Sequence, residues 1–350
     1  MVITMKLVVY PFSKDSIEFW NSDSIIDTTQ VVLLCPSSFF NPSSICGNTN
    51  TIVTHDCAEA LDGADAVLII PSFPWVAKRG YEQVIANAKR RNIPVYMCEN
   101  VVKQFKFECD NTNLVSFEKS DIITNIEKQK DWMKYSIPVP VIVIYGAGPF
   151  SEKFIIESKV SGFFSKLGYN VAFWGTKEYS SLFGGKPLPS FLFESYSGIM
   201  KSTALNHYIY HDAITNKRDL VVLGIPGGIM SRNSWRFNDI GELAYIISNA
   251  VNPDISILSI YANPLDSEFL NELVSLCKYR FNANVSHINV ASANYIFTDS
   301  HEEDFISVPH QEVMSYISDI DSYQGVFSVF DDAGLKQACN DILNILTSNI

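Results

Sequence analysis

The chain has 350 residues, with 38 acidic and 26 basic side chains and a net charge of −12 at pH 7. This length exceeds what one hydrophobic core usually holds, so we expect two domains. The acidic balance offers no uniform basic field for a phosphate backbone, which argues against a nucleic-acid partner. No apolar stretch approaches the roughly 18 residues that span a bilayer, so we expect a soluble, cytoplasmic protein with no membrane partner.

The cysteines and histidines do not form a recognisable metal or disulfide pattern. Seven cysteines are scattered without a CxxC pair, and their odd number predicts reduced thiols. His207 and His211 stand four residues apart on a predicted helix. Two ligands are too few for a zinc site, so helix packing is the favoured interpretation and we expect no metal.

The first part of the chain alternates strand-like and helix-like segments. Short β-rich apolar runs predict strands over residues 5–10, 31–35, 66–71 and 94–98. Between the last two, apolar residues recur at helical spacing, which predicts a βαβ unit with parallel strands. We therefore predict a Rossmann-like α/β domain over residues 1–110. Residues 111–136 lose the apolar periodicity and are predicted to be a linker.

The remainder, residues 137–350, is predicted to be a second doubly wound α/β domain with a mostly parallel sheet. It opens with a predicted strand over 139–145, a glycine loop, and a helix over 151–167. Further strands are predicted over 169–174, 220–225, 255–261 and 286–290. Further helices are predicted over 197–215, 239–249, 266–279 and 332–347.

The glycine loop at the start of this second domain suits an anion. In VIVIYGAGPFSEKF, a hydrophobic strand runs into Gly146, Ala147 and Gly148, and Lys153 follows in the first helical turn. Free backbone N–H groups and the positive end of a helix dipole stabilise a phosphate or carboxylate, and glycines allow a close approach. The ligand or cofactor that this pattern favours is a nucleotide or a phosphate.

The loop departs from both common nucleotide patterns. The dinucleotide pattern GxGxxG has Ser151 in place of its third glycine, and no acid ends the next predicted strand. Against the phosphate-loop pattern, Glu152 replaces the glycine before the lysine and brings a carboxylate towards the phosphates, while Phe154 replaces the magnesium-binding hydroxyl. Three interpretations stay open: a tight structural turn, a nucleotide or anion bound without hydrolysis, and a catalytic site.

A second glycine loop follows the predicted strand in DLVVLGIPGGIM. It contains Gly224, Gly227 and Gly228, and Arg232 follows as a possible donor. Ligands of parallel sheets bind at the carboxyl ends of the strands, so we expect both glycine loops to line one crevice. The alternative is a plain turn. Asp219 precedes its strand, the wrong end for a metal-holding carboxylate, and we find no better candidate.

Aromatic residues are dense between residues 168 and 193. Tyr179, Phe183, Phe191 and Phe193 alternate there with lysines, glycines and prolines. Such a stretch packs under its own aromatic rings, or it presents the edge of a groove to a peptide. Both alternatives stay open.

These same segments resemble a known family. GAGPFSEKF, LGYNVAFWGTKEYSSLFG, PLPSFLF and DLVVLGIPGGIM are similar to a peptide maturation system protein encoded beside radical SAM maturases in clusters for Cys-rich, bacteriocin-like peptides. The resemblance covers most of residues 138–260. The family's loop looks like GTGPNCDKF, so Phe150 and Ser151 stand where Asn and Cys are usual. These departures weaken any role that needs the Asn and Cys side chains.

The resemblance implies an accessory or binding role in ribosomal peptide maturation within a natural product cluster, with a precursor peptide and a radical SAM maturase as partners. More distantly, the second domain resembles phosphate-loop proteins of the dethiobiotin synthetase and MinD type, in a degenerate form. Catalytic residues stay unassigned, and whether the chain is an enzyme is open. The alternatives are a nucleotide-dependent ligase or ATPase acting on the peptide and, less favoured, an NAD-type oxidoreductase.

Overall fold

The protein consists of two α/β units, each with its own parallel sheet. The computed structural model describes residues 5–12, 29–36, 51–72, 76–108, 112–129, 132–231, 240–263, 266–297, 303–320 and 325–348. The first unit comprises residues 1–117 and 178–184, and the second comprises residues 118–177 and 185–350. Within the described ranges, no helix has the length and apolar character needed to cross a membrane.

The sheet of the first unit has the Rossmann strand order. Its elements are β1 (Met5–Tyr10), β2 (Thr29–Leu34), β3 (Thr51–Thr54), α1 (Cys57–Ala60), β4 (Ala66–Ile69), α2 (Lys78–Arg90), β5 (Val95–Cys98), α3 (Glu99–Phe105) and β6 (Asn113–Val115). The strands lie in the order β3-β2-β1-β4-β5-β6, and every neighbouring pair is parallel. The order 3-2-1-4-5-6 is that of dinucleotide-binding folds, which confirms the predicted Rossmann-like class.

The predicted βαβ unit is present as β4, α2 and β5. All four residues of β4 are buried. The helix α2 turns Tyr81, Val84, Ile85 and Ala88 inwards at helical spacing. Its last turn carries Lys89 and Arg90, which complement the negative end of the helix dipole.

A later stretch of chain also belongs to the first unit. Residues 178–184 contribute a 3₁₀ turn, Ser180–Phe183. The Glu178 carboxylate accepts a hydrogen bond from the backbone N–H of Asn100, 3.2 Å away, in the first turn of α3. This bond satisfies one of the N–H groups that a helix start leaves without an intrahelical partner.

The segment predicted as a linker, residues 111–136, contains regular structure. Its first part forms β6, an edge strand of the first sheet. Its middle forms the helix α4 (Ile122–Gln129), which buries Ile123 and Ile126 in the second unit. The two elements within the predicted linker thus belong to different units. A three-residue strand carries no periodic signal of its own, because its stability comes from pairing with its neighbour.

The second unit has a central sheet of seven strands. Its further elements are β7 (Val141–Gly146), α5 (Lys153–Lys166), β8 (Val171–Gly175), β9 (Lys186–Pro187), α6 (Gly198–Thr215), β10 (Leu220–Gly224), α7 (Glu242–Val251), β11 (Ile255–Tyr261), α8 (Ser267–Phe281), β12 (Val285–Ala291), β13 (Ala293–Phe297), β14 (Glu303–Ser307), α9 (His310–Ser318), β15 (Val326–Phe327) and α10 (Asp332–Ser348). The strand order is β15-β12-β11-β7-β10-β8-β9, with parallel neighbours. The strands β13 and β14 form a separate antiparallel pair.

The strand β7 lies at the centre of this sheet and is buried along its whole length. The connection that leaves β7 through α5 leads to β8 on one side, whereas the connection from β10 through α7 crosses to β11 on the other side. The strand order therefore reverses around β7. Ligands of open parallel sheets bind outside the carboxyl ends of the strands at such a switch point.

The helix α5 packs against β7, β8, β10 and α10. It has buried residues on nearly all of its sides, including the charged residues Glu157 and Lys159. A helix in this position belongs to the interior of the unit rather than to its surface. Its amino-terminal end lies where the chain leaves the glycine loop.

Candidate anion-binding site

The loop between β7 and α5 is held in place by β11. The Ala147 N–H donates to the Ser259 carbonyl oxygen at 2.8 Å. The Tyr261 hydroxyl donates to the Pro149 carbonyl oxygen at 2.6 Å, and the Ser259 hydroxyl donates to the Ser151 carbonyl oxygen. Three bonds from one strand thus fix the course of the loop.

The loop also contains two residues other than glycine in the left-handed region. Phe150 has a φ of 58° and Glu152 a φ of 57°. Each such conformation costs about 1–3 kcal/mol and persists only where the surroundings impose it. The ring of Phe150 packs on that of Phe305 with 4.5 Å between centroids, so packing helps to hold the first of them.

Lys153, the first residue of α5, folds back over the loop. Its Nζ donates to the Gly148 carbonyl oxygen at 2.7 Å and to Ser151 Oγ at 3.3 Å. A Cβ atom at Gly146 would lie 2.4 Å from Ser151 Oγ and 2.6 Å from Lys153 Cδ. The glycine at position 146 is therefore what gives the lysine side chain its room.

The two glycine loops are in contact. The Ile229 N–H donates to the Gly146 carbonyl oxygen at 3.1 Å. A Cβ atom at Gly228 would lie only 2.7 Å from the Ala147 carbonyl oxygen and 3.2 Å from Gly148 Cα. Gly227 has a φ of 77°, the conformation that its turn requires. Arg232 lies outside the described residues.

The Glu152 side chain points away from the glycine loop. Its carboxylate accepts a hydrogen bond from the Ser292 N–H at 2.8 Å and from Asn289 Nδ2 at 3.4 Å, so it is directed towards the end of β12. Burial raises the pKa of Glu152 to about 7, while these bonds and the charge of Lys159 oppose the rise. The sequence predicts a Glu152 carboxylate near the phosphates, whereas the structure binds its oxygens to residues at the end of β12, two strands from β7.

Glu157 is a functional candidate that the sequence interpretation missed. It stands one helical turn after Lys153 and is fully buried. Its carboxylate accepts hydrogen bonds from the Thr176 N–H and hydroxyl, both at 3.0 Å. A Cβ atom at Gly224 would lie 2.0 Å from Glu157 Oε1, so only glycine leaves space for this carboxylate at the end of β10.

The electrostatic surroundings of Glu157 combine burial with two nearby lysines. Burial raises the pKa of Glu157 to about 7, and the Thr176 hydrogen bonds and the charges of Lys153 and Lys177 oppose the rise. A buried carboxyl group with a pKa near neutrality, close to the two lysines, is a candidate for function. The sequence signal that could have found it is an acidic residue four positions after Lys153, directly after the apolar residues 154–156.

The other candidates from the sequence have structural partners. His207 is buried, and its Nε2 lies 2.7 Å from the Met133 carbonyl oxygen. The Asp219 carboxylate accepts from the Asn170 N–H at the amino ends of β8 and β10, away from the glycine loops. Among the residues that the structure describes, no group of three or more His, Cys, Asp or Glu side chains is placed to hold a metal ion.

The aromatic stretch divides between the two units. Tyr179 and Phe183 are buried within the first unit, and Phe191 is buried within the second. Phe193 is 44% exposed. Packing therefore accounts for three of the four rings, and only Phe193 offers an exposed aromatic surface.

An open depression runs along α8 and is lined by residues between Glu268 and Arg280. None of its residues belongs to either glycine loop. The candidate site is defined by the polar contacts at the carboxyl end of the central sheet.

Comparison with known proteins establishes the fold. No family model matches the chain, and no curated protein matches it. A DUF1611 family protein from Anabaena variabilis has a similar structure, with 8% sequence identity and a TM-score of 0.61, over 98% of this chain and 99% of its own. The similarity is one of fold. At this identity it says nothing about chemistry.

Weaker similarities extend to two other solved structures. Apo McdA from Cyanthece matches 58% of this chain and 90% of its own at 11% identity and a TM-score of 0.34. A nucleotide-binding protein in complex with ADP from Archaeoglobus fulgidus matches 64% of this chain and 92% of its own at 9% identity and a TM-score of 0.30. Similarities of this size support no conclusion about the site.

The contact between the glycine loops predicts the effect of Gly228→Ala. The new methyl group would press on backbone atoms of residues 147 and 148, which cannot rotate away. We expect a loss of about 1–3 kcal/mol in the free energy of unfolding, measured by urea denaturation. Gly198→Ala is the matched control, because its Cβ would lie at an ordinary 3.5 Å from Ile246 Cγ1. Equal stability of the two variants would show that the loops do not press together.

The buried carboxyl groups predict how stability depends on pH. Glu157 has a pKa of about 7 in the folded protein against an ordinary value of 4.5. The folded state therefore binds more protons between these two values, so stability should fall as the pH rises from about 4.5 to about 7 and then level off. Over this pH range, the melting temperature of Glu157→Gln should fall less than that of the wild type. Part of the fall should remain, because burial also raises the pKa of Glu152. Glu272→Gln, on the exposed side of α8, serves as the control. An unchanged pH profile in Glu157→Gln would contradict the assignment.

Proposed function

We propose that this protein is an accessory binding component of a ribosomal peptide maturation system, and that its Gly146 loop holds the phosphate of a nucleotide without hydrolysing it. The observation that carries the anion-binding part is the position of Lys153, whose ammonium group lies 2.7 Å from the Gly148 carbonyl oxygen. An incoming phosphate oxygen would replace that carbonyl as the partner of the lysine. A bond between the lysine ammonium and an anionic phosphate oxygen is stronger than the bond from the same ammonium to a neutral carbonyl.

The surroundings of the lysine also support an anion. The loop lies at the switch point of the parallel sheet and leads into the start of α5, where backbone N–H groups and the helix dipole favour negative charge. The carboxylate of Glu152 is engaged by Ser292 and Asn289, and so it competes less for the lysine than its sequence position suggests.

The peptide part of the proposal rests on the resemblance to peptide maturation proteins described above. The suggested partners are a precursor peptide and a radical SAM maturase. Phe193, within the PLPSFLF segment that carries part of the resemblance, presents an exposed ring for such a contact.

The absence of hydrolysis follows from the residue after the lysine. Phosphoryl transfer needs a magnesium ion that bridges the terminal phosphates, and a hydroxyl directly after the lysine usually helps to hold it. Phe154 occupies that position, is buried, and packs near Phe173 with 6.1 Å between ring centroids. The side chain is thus part of the core and provides no ligand for a cation.

Glu157 favours a second candidate function, a nucleotide-dependent ligase or ATPase that acts on the peptide. Its carboxylate lies beside Gly224 at the carboxyl end of β10, one helical turn after Lys153. Magnesium is commonly bound by one or two carboxylates together with substrate phosphates. This position therefore supplies the acidic group that the sequence interpretation did not find.

An NAD-type oxidoreductase has less support. The first unit has the strand order of dinucleotide-binding folds, but Pro11 and Phe12 follow β1 where the glycine fingerprint would stand. In the second unit, Thr176 follows the end of β8, where an acid would bind the ribose, and its hydroxyl already donates to Glu157.

The first test of the proposal is Lys153→Ala. This variant should keep its fold and bind a nucleotide or phosphate more weakly by about 1–3 kcal/mol, the range for a hydrogen bond to a charged group. The measurement is isothermal titration with ATP, GTP, NAD and inorganic phosphate, with and without magnesium. Lys166→Ala, in the last turn of the same helix, removes an exposed lysine and should bind like the wild type. If the wild type binds none of these anions, the loop is a structural turn.

The second test separates binding from turnover. We expect the isolated protein to release no phosphate from ATP or GTP above the rate of Lys153→Ala. Steady release in the wild type that disappears in both Lys153→Ala and Glu157→Gln would instead support the ligase or ATPase. The conservative Glu157→Gln change keeps the size of the side chain and removes its charge.

A further inference from the structure

A short stretch of irregular chain is bound along α6 through its backbone. Residues 132–137, the Tyr135 strap, have neither helix nor strand. The Tyr135 N–H donates to Asn206 Oδ1 at 2.7 Å, and Asn206 Nδ2 donates to the Tyr135 carbonyl oxygen at 2.8 Å. His207 Nε2 lies 2.7 Å from the Met133 carbonyl oxygen. One side-chain amide thus satisfies both backbone groups of a residue, as a neighbouring strand would.

The contacts recur at every second residue of the strap. The backbone groups of Met133 and Tyr135 face α6 together, which is the alternation of an extended chain. Hydrogen bonds to the main chain are independent of the side chains that the bound segment carries. The same positions on α6 therefore suit any extended peptide that can reach them.

The ring of Tyr135 supplies the side-chain part of the contact. It stacks on Tyr210 with 4.6 Å between centroids and an interplanar angle of 18°. It also lies 4.7 Å from the ring of His207 and 6.3 Å from that of His211. Offset stacking of this kind selects an aromatic residue at this position.

The side-chain amide of Asn206 on α6 is oriented by a contact outside the strap. Asn206 is 1% exposed, and its Nδ2 also donates to the Ala250 carbonyl oxygen of α7 at 2.8 Å. This bond orients the amide, so its remaining donor and acceptor stay directed at the bound chain. A site with fixed polar groups loses little entropy when a ligand binds.

Most side chains of the strap are exposed to solvent. Met133 is 67% exposed and Trp132 is 48% exposed. Lys134 and Ser136 are also exposed, which leaves Tyr135 as the main packed side chain of residues 132–136. Segments with few buried apolar contacts open locally at a low free-energy cost.

We propose that the Tyr135 strap is a releasable occupant of a peptide-binding site, and that the α6 surface formed by Asn206, His207 and Tyr210 binds an extended peptide with an aromatic side chain in place of Tyr135. This inference deepens the proposed function, because it names where a precursor peptide binds. It does not depend on the anion loop. When the strap is seated, the chain blocks its own peptide site.

The test uses the full chain and a fluorescent peptide with the sequence of residues 132–137, WMKYSI. Tyr135→Ala weakens the internal strap, so this variant should bind the peptide at least about tenfold more tightly than the wild type, in which the tethered strap competes at high effective concentration. A peptide with alanine in place of its tyrosine should not bind. Adding Asn206→Ala to Tyr135→Ala should abolish binding. Tyr279→Ala, which removes a tyrosine that is 84% exposed on α8, should behave like the wild type.

Two results would overturn the inference. One is equal or undetectable binding of the peptide to the wild type and to a folded Tyr135→Ala variant. The other comes from hydrogen exchange of the wild type, which needs no variant to fold: the Tyr135 amide should exchange at least about a hundredfold faster than the β7 amides, and equal rates would mean that the strap does not open. The nucleotide titration is a separate measurement, so failure of the peptide site and failure of the anion site can be told apart.

Discussion

The second unit depends on the burial of α5. This helix is enclosed by the sheet and α10, yet it carries Glu157 and Lys159 into the interior, with Glu152 at its start. A buried charge is tolerated only when it is paired or hydrogen-bonded. Thr176 donates a hydrogen bond to Glu157, and Lys159 donates one to the Val329 carbonyl oxygen at 3.1 Å. These contacts tie α5 to β8 and to the chain before α10.

The same bonds fix the glycine loop, because the loop ends where α5 begins. If one of these partners were removed, a buried polar group would lose part of its compensation, which destabilises the folded unit. The position of Lys153 over the loop is therefore a consequence of how its helix is anchored further along. The geometry of the candidate site therefore depends on the buried contacts of α5.

Glycines are required where one element enters the space of another. Gly224 admits the Glu157 carboxylate, Gly228 admits the backbone at Ala147, and Gly146 admits Lys153. The two glycine loops therefore interlock and are not independent flexible turns. A preorganised arrangement of this kind reduces the reorganisation that ligand binding requires.

The sequence predicted the fold well where the physical signal is local. The strands β1 and β11 match the predicted ranges, because each is a predominantly apolar run bounded by turn residues. The meeting of the two glycine loops could also be predicted, since parallel strands end at a common edge. By contrast, β6 and the pair β13–β14 were missed, because they depend on pairing and carry little periodic signal.

The details of the site were less accessible from the sequence. A helix buried on nearly all sides has no polar face, so its periodicity could not show that Glu157 points towards Gly224. The direction of Glu152 depends on Ser292 and Asn289, which lie far along the chain and meet it only in the folded unit. The binding of residues 132–137 to Asn206 is likewise a contact between distant positions.

The first unit is discontinuous in sequence, and this has a consequence for synthesis. Its chain is interrupted after residue 117 and resumes at 178–184, where Glu178 binds the start of α3. On the ribosome, β7, α5 and β8 of the second unit therefore emerge before the first unit has all of its residues. Domains generally fold in order from the amino terminus during synthesis. Here a fragment that ends at residue 117 lacks the Glu178 cap, so the completion of the earlier unit waits for part of the later one.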